Sequence, residues 1–324
     1  MRQRSGRVGK LGLCAVAAAV LLGGCAFVPA AAGRVTRGKD ASGRIAARAV
    51  VVVAAGDIAC KPGSRVTRTR CHQMGVARLI GRLHPRALLA LGDLAYPAGT
   101  QPAFDHAYGP SWGRFKSITH PVPGNHEYGT PGAAGYYGYF GPRATPLRPH
   151  CRIWCPGHYS LRIGSWHAVA LVTNCDEPEG NCRWIPSQTA WLRRDLNRHR
   201  FRCTVAYMKN PLFSGGFGAT PQVRPLWRVL QAHGVDLVLT GHAHNYQRFV
   251  RLTPSGRRSA HGITEIIAGT GGDRLFTLAR TRHQAARINH RFGVMRLALG
   301  RGHWTSEFVT ERGHVMDRAR GTCH

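Results

Sequence analysis

Gly241-His242-Ala243-His244 follows the run Val235 to Leu239 and places two imidazoles just beyond what reads as a buried strand. Three upstream islands repeat the arrangement. Gly56-Asp57 follows Ala49 to Ala55, Gly92-Asp93-Leu94-Ala95-Tyr96 follows Ala87 to Leu91, and Gly124-Asn125-His126-Glu127 follows Ser117 to Val122. The first of these runs is continuously apolar and rich in β-branched valine, as a strand buried on both faces would be. A carboxylate at the end of such a strand is costly unless it finds a partner. One alone reads as a turn former or helix cap; carboxylate, amide, imidazole and phenol donors at four strand ends read as one convergent metal site. His242 and His244 are two residues apart and share a face of an extended chain, so they serve different ions only on a bent loop. Gly241 permits the close turn this requires.

Working outward, the chain alternates strands and helices. A helix is predicted over His72 to Leu83, where Met74, Val76, Leu79, Ile80 and Leu83 make one apolar face. A second is predicted over Gln188 to Arg198, capped by Ser187, and a third over Val223 to Ala232, closed by Gly234. Tyr159 to Ile163 and Trp166 to Val172 form a hairpin about Gly164-Ser165. Further strands are expected at Cys203 to Met208, Thr264 to Ala268, Val294 to Leu299 and His303 to Val309. Residues 97 to 116 read as an irregular loop. Tyr128 to Phe140 and Ser214 to Gly218 are placed at the pocket edge, with the tyrosines packing under a loop; Gly269-Thr270-Gly271-Gly272 reads as a turn. His106, His199 and His290 read as solvent-facing. The alternation implies an α/β fold with a parallel-rich sheet first, and ligands in such sheets gather beyond the carboxyl ends of strands, where the islands lie.

The ordered set GD, GDxxY, GNHE and GHxH, from about Val50 to Asn245, resembles the calcineurin-like metallophosphoesterase superfamily. With Tyr96 present, and Ala59 where many members carry histidine, it is most similar to the purple acid phosphatase branch. The resemblance implies a four-layer α/β/β/α sandwich and a dinuclear centre of Fe, Mn or Zn ions. One ion would take Asp57, Tyr96 and His244, the other Asn125 and His242, with Asp93 bridging. His126 would contact the phosphoryl group or protonate the leaving oxygen. The implied reaction is hydrolysis of a phosphate ester, as a phosphatase or phosphodiesterase, by a metal-held hydroxide. A phenolate at Tyr96 favours a trivalent ion such as Fe(III) by ligand hardness; if Tyr96 only packs, Mn or Zn is favoured.

One position departs from the pattern. In Met208-Lys209-Asn210-Pro211-Leu212-Phe213-Ser214 the family's histidine ligand is replaced by Lys209. An ammonium has three donors and no lone pair and cannot ligate a metal. Three outcomes are open: a deprotonated Lys209 as ligand, an ammonium replacing part of the second ion's charge at a weakened or mononuclear site that clamps phosphate, or a site that binds phosphate without turnover.

Residues 1–24 read as a lipoprotein-type signal peptide, with Arg2, Arg4, Arg7 and Lys10 ahead of the apolar run Leu11 to Leu22. Leu22-Gly23-Gly24-Cys25 resembles a lipobox, making Cys25 a membrane lipid anchor; the competing reading is cleavage near Ala30-Ala31-Ala32. Residues 25–46 read as a flexible tether and 47–324 as the catalytic domain. Eight cysteines remain, and closeness in sequence favours Cys60 with Cys71, Cys151 with Cys155 and Cys175 with Cys182, leaving Cys203 for Cys323. The expected location is the outer face of the cytoplasmic membrane or the secreted fraction. A formal net charge of +30 either steers a phosphorylated small molecule or polymer substrate, or is a solvated arginine-rich face. No nucleic-acid-reading module is present. The rival to an enzyme is an exported, non-catalytic protein that binds anionic, phosphate-bearing envelope polymers.

Overall fold

The computed structural model describes residues 49–153, 155–173 and 184–324. The segments read as signal peptide and tether, Cys25 and the expected Cys175–Cys182 pair lie outside them. Six strands form one mixed sheet in the order β13-β12-β11-β1-β2-β3: β1 (Val50–Ala55), β2 (Ala87–Leu91), β3 (Thr119–Val122), β11 (Gly293–Gly300), β12 (His303–Thr310) and β13 (Val315–Thr322). Within it β1, β2 and β3 are parallel, and β11 returns antiparallel to β1. The second sheet runs β10-β8-β9-β7-β6-β5-β4. Its members are β4 (Tyr159–Ile163), β5 (Trp166–Ala170), β6 (Cys203–Tyr207), β7 (Leu237–Thr240), β8 (Tyr246–Phe249), β9 (Thr264–Ala268) and β10 (Gln284–Ile288). Strands β5, β6, β7 and β9 are parallel, with antiparallel strands at both edges.

The period-two alternation of strands distributes the core. Leu237 and Leu239 belong to a large cluster that also contains Val52, Leu89 and Leu297 of the first sheet. Val238, between them, joins a second cluster with Leu192, Leu196, Trp227 and Leu230 of α3 (Ile185–Arg198) and α4 (Arg224–Ala232). Val76 and Ile80 of α1 (Gln73–Leu83) pack on the first sheet's side. The layers are therefore helix, sheet, sheet, helix, the sandwich expected from the motifs.

Most strands match their predicted spans to within a residue or two. Helix α3 differs: it begins at Ile185, with Pro186 in the first turn, where its missing N–H costs nothing. Ser187 is thus inside the helix, its hydroxyl donating to the Trp184 carbonyl, and is not the cap. The expected loop over 97 to 116 contains short helical turns, including Phe104–Tyr108. The tyrosine-rich segment forms α2 (Ala134–Phe140), with Tyr136, Tyr137 and Phe140 buried, so these rings are core and do not edge the pocket. Disulfides join Cys60 to Cys71, Cys151 to Cys155 and Cys203 to Cys323, the three described pairs of the four expected. No helix of the described residues is long and apolar enough to cross a membrane.

Candidate metal centre

The four islands meet beyond the carboxyl ends of β1, β2, β3 and β7. Backbone conformation marks them. Asp57 (φ 59°), Asp93 (φ 52°), His242 (φ 70°) and His244 (φ 50°) all sit in the left-handed region, which non-glycine residues occupy at a cost of about 1–3 kcal/mol each. The neighbouring glycines let the loops close up: a Cβ on Gly124 would collide with Asp93 Oδ1, and one on Gly241 would lie 2.9 Å from Asp57 Oδ2. Glu127, the last residue of its island, ties the loops together. Its buried carboxylate accepts the backbone N–H groups of Gly124, Asp93, Leu94 and Ala95. Burial, followed by the charge of Asp93, pushes this carboxyl up to about 8 against those four bonds.

At the centre Tyr96 Oη lies 3.0 Å from Asp57 Oδ1, 3.2 Å from Asp93 Oδ2 and 2.9 Å from His244 Nε2. His244 Nε2 is 3.1 Å from Asp57 Oδ1, while its Nδ1 donates to the Arg274 carbonyl at 3.0 Å. A carbonyl can only accept, so Nδ1 carries a proton and Nε2 is the nitrogen turned to the centre. Burial lowers the ring's pKa, but the Asp57 carboxylate outweighs it and holds the pKa above the usual value; a metal ion would take the place of a proton at Nε2. The Asn125 side-chain oxygen is buried with no hydrogen-bond donor among the described residues. An orphaned acceptor beside two carboxylates and an imidazole suits a cation. Asp57, Asp93 and His244 each offer a ligand atom within 4.8 Å of the others.

The Lys209 side chain is fully buried, and Nζ lies 2.5 Å from Asp57 Oδ1 and 2.6 Å from Asp93 Oδ2. The ammonium thus contacts both Asp93, the expected bridging ligand, and Asp57, a residue expected to serve the other ion. Burial alone would lower its pKa, but the two carboxylates outweigh this and hold it above the usual value. Burial likewise opposes ionisation of Asp57 and Asp93, and Lys209 reverses it, holding both below the usual carboxylate range. Tyr96 is pushed well above the ordinary phenol value, first by burial and then by the two aspartates.

These groups floor a cavity of about 430 Å³ whose lining includes Asp93, Tyr96, Asn125, His126, His242 and His244. His126 Nδ1 donates to the Pro97 carbonyl at 2.5 Å. Sequence reading missed several of the walls. Lys61, Arg70 and Arg274 line the same cavity, as do Phe217 from the predicted Gly-rich edge and Asp273. Asp273 directly follows Gly269–Gly272 after β9, so the rule that found the other islands, an acid just past a buried strand, would have found it. Phe276 stacks on His244 with centroids 4.2 Å apart.

The chain matches the calcineurin-like phosphoesterase family over residues 50–246. It belongs to that family. Among curated relatives, purple acid phosphatase 21 of Arabidopsis thaliana is 26% identical over 72% of this chain and 58% of its own length. The Fe(3+)-Zn(2+) purple acid phosphatase 12 of the same plant is 29% identical over 56% of this chain and 41% of its own length. The chain thus spans 58% of the length of the first of these relatives and 41% of the second. A purple acid phosphatase from yellow lupin (Lupinus luteus) seeds shares the fold, with a TM-score of 0.62 at 18% identity over 84% of this chain and 53% of that one.

Proposed function

We propose that this member of the calcineurin-like family hydrolyses phosphate esters with one transition-metal ion and one internal cation, the Lys209 ammonium. The observation that carries the reading is Lys209 Nζ seated between Asp57 Oδ1 and Asp93 Oδ2. Asp93, Asn125 and His242 would hold the ion, of Fe, Mn or Zn, and Asp57, Tyr96 and His244 would hold the ammonium. A second ion at Asp57, Tyr96 and His244, bridged by Asp93, requires the ammonium to withdraw. The metal supplies Lewis-acid polarisation of the phosphoryl group and a lowered pKa for water.

The chain's own groups do the rest. Lys61, Arg70 and Arg274 draw the anionic phosphoryl group into the cavity and offset its charge. Lys209 cancels one of the two negative charges of Asp57 and Asp93, which weakens their repulsion of that anion. His126, its Nδ1 proton committed to Pro97, delivers or withholds a proton at Nε2 as the ester oxygen leaves. The substrate is a phosphorylated small molecule or polymer. Export is supported by the leader sequence and by disulfides, which persist in oxidising compartments; Cys25 is the lipid attachment point, and the mass of the mature chain separates this from cleavage near Ala30-Ala31-Ala32.

The test is metal content and turnover of wild type and Lys209→His, with a chromogenic phosphate ester and added Fe, Mn or Zn. Wild type is expected to hold one ion and turn over slowly; Lys209→His is expected to hold two and turn over faster. Unchanged occupancy and rate in the variant would discard the internal-cation reading. A wild type that binds phosphate but neither metal nor ester turnover would instead establish the non-catalytic binding protein, a role the filled carboxylate pair also suits.

A further inference from the structure

We propose a second metal site, remote in sequence from the islands, formed by His167, Asp195 and His199 and suited to Zn(II). His167 projects from β5; Asp195 and His199 are i, i+4 neighbours at the end of α3, which places them on one helix face. His167 Nε2 lies 3.1 Å from Asp195 Oδ2, and His199 Nδ1 lies 3.1 Å from Asp195 Oδ1. Each residue offers a ligand atom within 4.8 Å of the other two. Zinc bonds of about 2.0–2.1 Å at tetrahedral angles put neighbouring donors about 3.3 Å apart, so the set needs only small shifts to close on an ion.

A second observation points to a ligand. His167 is 2% exposed and Asp195 8% exposed. Yet neither ring nitrogen of His167, nor Asp195 Oδ2, has a hydrogen-bond partner among the described residues. His167 Nε2 and Asp195 Oδ2 are in ion-pair contact at 3.1 Å without full hydrogen-bond geometry, and a buried imidazole and carboxylate so placed can share a cation. The surroundings also fit. Ser160 Oγ donates to Asp195 Oδ1 at 2.7 Å, the orienting bond that metal-bound carboxylates receive. Phe201 stacks on His167, centroids 5.3 Å apart, and forms an apolar wall. The carboxyl end of α3 carries the negative end of the helix dipole, which favours a cation. Two imidazoles and one carboxylate are a zinc set with an open fourth position, and the three residues border a cavity of about 510 Å³.

In the metal-free chain the His199 Nδ1 proton is held by Asp195; to ligate through Nδ1 the ring would carry its proton on Nε2 instead, leaving the Nδ1 lone pair for the ion. The experiment compares zinc and cobalt stoichiometry, by elemental analysis after desalting, in the full wild-type chain and in His199→Ala. The His199 side chain is 43% exposed, so its loss should leave the metal-free fold intact; His199→Gln is the second variant should the alanine lower the metal-free melting temperature. The expected result is one equivalent fewer in the variant, loss of tetrahedral Co(II) visible bands in the difference spectrum, and unchanged ester hydrolysis. Equal stoichiometry in wild type and variant overturns the site. The reading is a difference between two chains, so it holds or fails whatever the count at the Lys209 centre.

Discussion

Replacing one side chain, histidine by Lys209, changes what two buried carboxylates face. Removing the ammonium without replacing its charge should be severe: a buried pair broken on one side costs about 3–5 kcal/mol. Lys209→Met is therefore expected to lower the melting temperature of metal-free protein sharply and to be rescued by added divalent metal, a rescue that calorimetry would detect. His126 makes the opposite contribution, since its ring donates to the Pro97 carbonyl and packs at a tilt against the Tyr96 ring. His126→Asn should leave stability nearly unchanged and reduce kcat by about 10²–10⁴-fold. If the ring protonates the leaving oxygen, the loss must be larger for an alkyl ester than for a nitrophenyl ester. Equal losses for both would assign it to phosphate contact alone.

At the scale of elements, the fold joins distant segments through a few charged contacts. His72, at the head of α1, places Nδ1 2.9 Å from both oxygens of Glu311, just past β12, and Nε2 2.6 Å from the Thr67 carbonyl. Both partners only accept, so both nitrogens carry protons and the ring is an imidazolium. The bond to Glu311 is the main cause of its raised pKa, with burial opposing. A raised folded pKa stabilises fully below the unfolded value of about 6.5 and is lost as pH climbs through the folded one. The difference in melting temperature between wild type and His72→Gln should therefore shrink as pH rises above about 6.5; a constant gap would contradict the ion pair. Helices and inner strands were legible from apolar period and length. Strands β8, β10 and β13 were not: β13 alternates half-buried and exposed residues through Asp317, Arg318 and Arg320, and its pairing with β12 comes from a long-range ladder.

For the whole molecule the dominant quantity is charge, +30 over 324 residues. With Lys61, Arg70 and Arg274 at the cavity, this field should speed encounter with dianionic esters. Raising ionic strength from about 10 mM to about 150 mM shortens the Debye length from roughly 30 Å to 8 Å. kcat/KM should then fall about tenfold while kcat holds, and a salt-independent kcat/KM would show the basic surface to be a solvated face with no steering role.

The inner strands, the donors beyond their ends, the Cys60–Cys71 and Cys151–Cys155 disulfides and the family were determined by local pattern, and Cys203–Cys323 followed by elimination. Apolar period and short-range spacing are properties of neighbouring residues, so they are visible in one dimension. What Lys209 touches was decided only in three dimensions. From the chain it stood for a missing second-ion ligand; folded, it reaches across to Asp57, because the reach of a long side chain is set by which strands lie beside it. His199 is solvent-facing as read from the chain; only the fold shows that the end of α3 also sets it against Asp195 and, through that carboxylate, His167 on a neighbouring strand. Convergence of side chains 28 or more residues apart depends on sheet order, which no local period encodes.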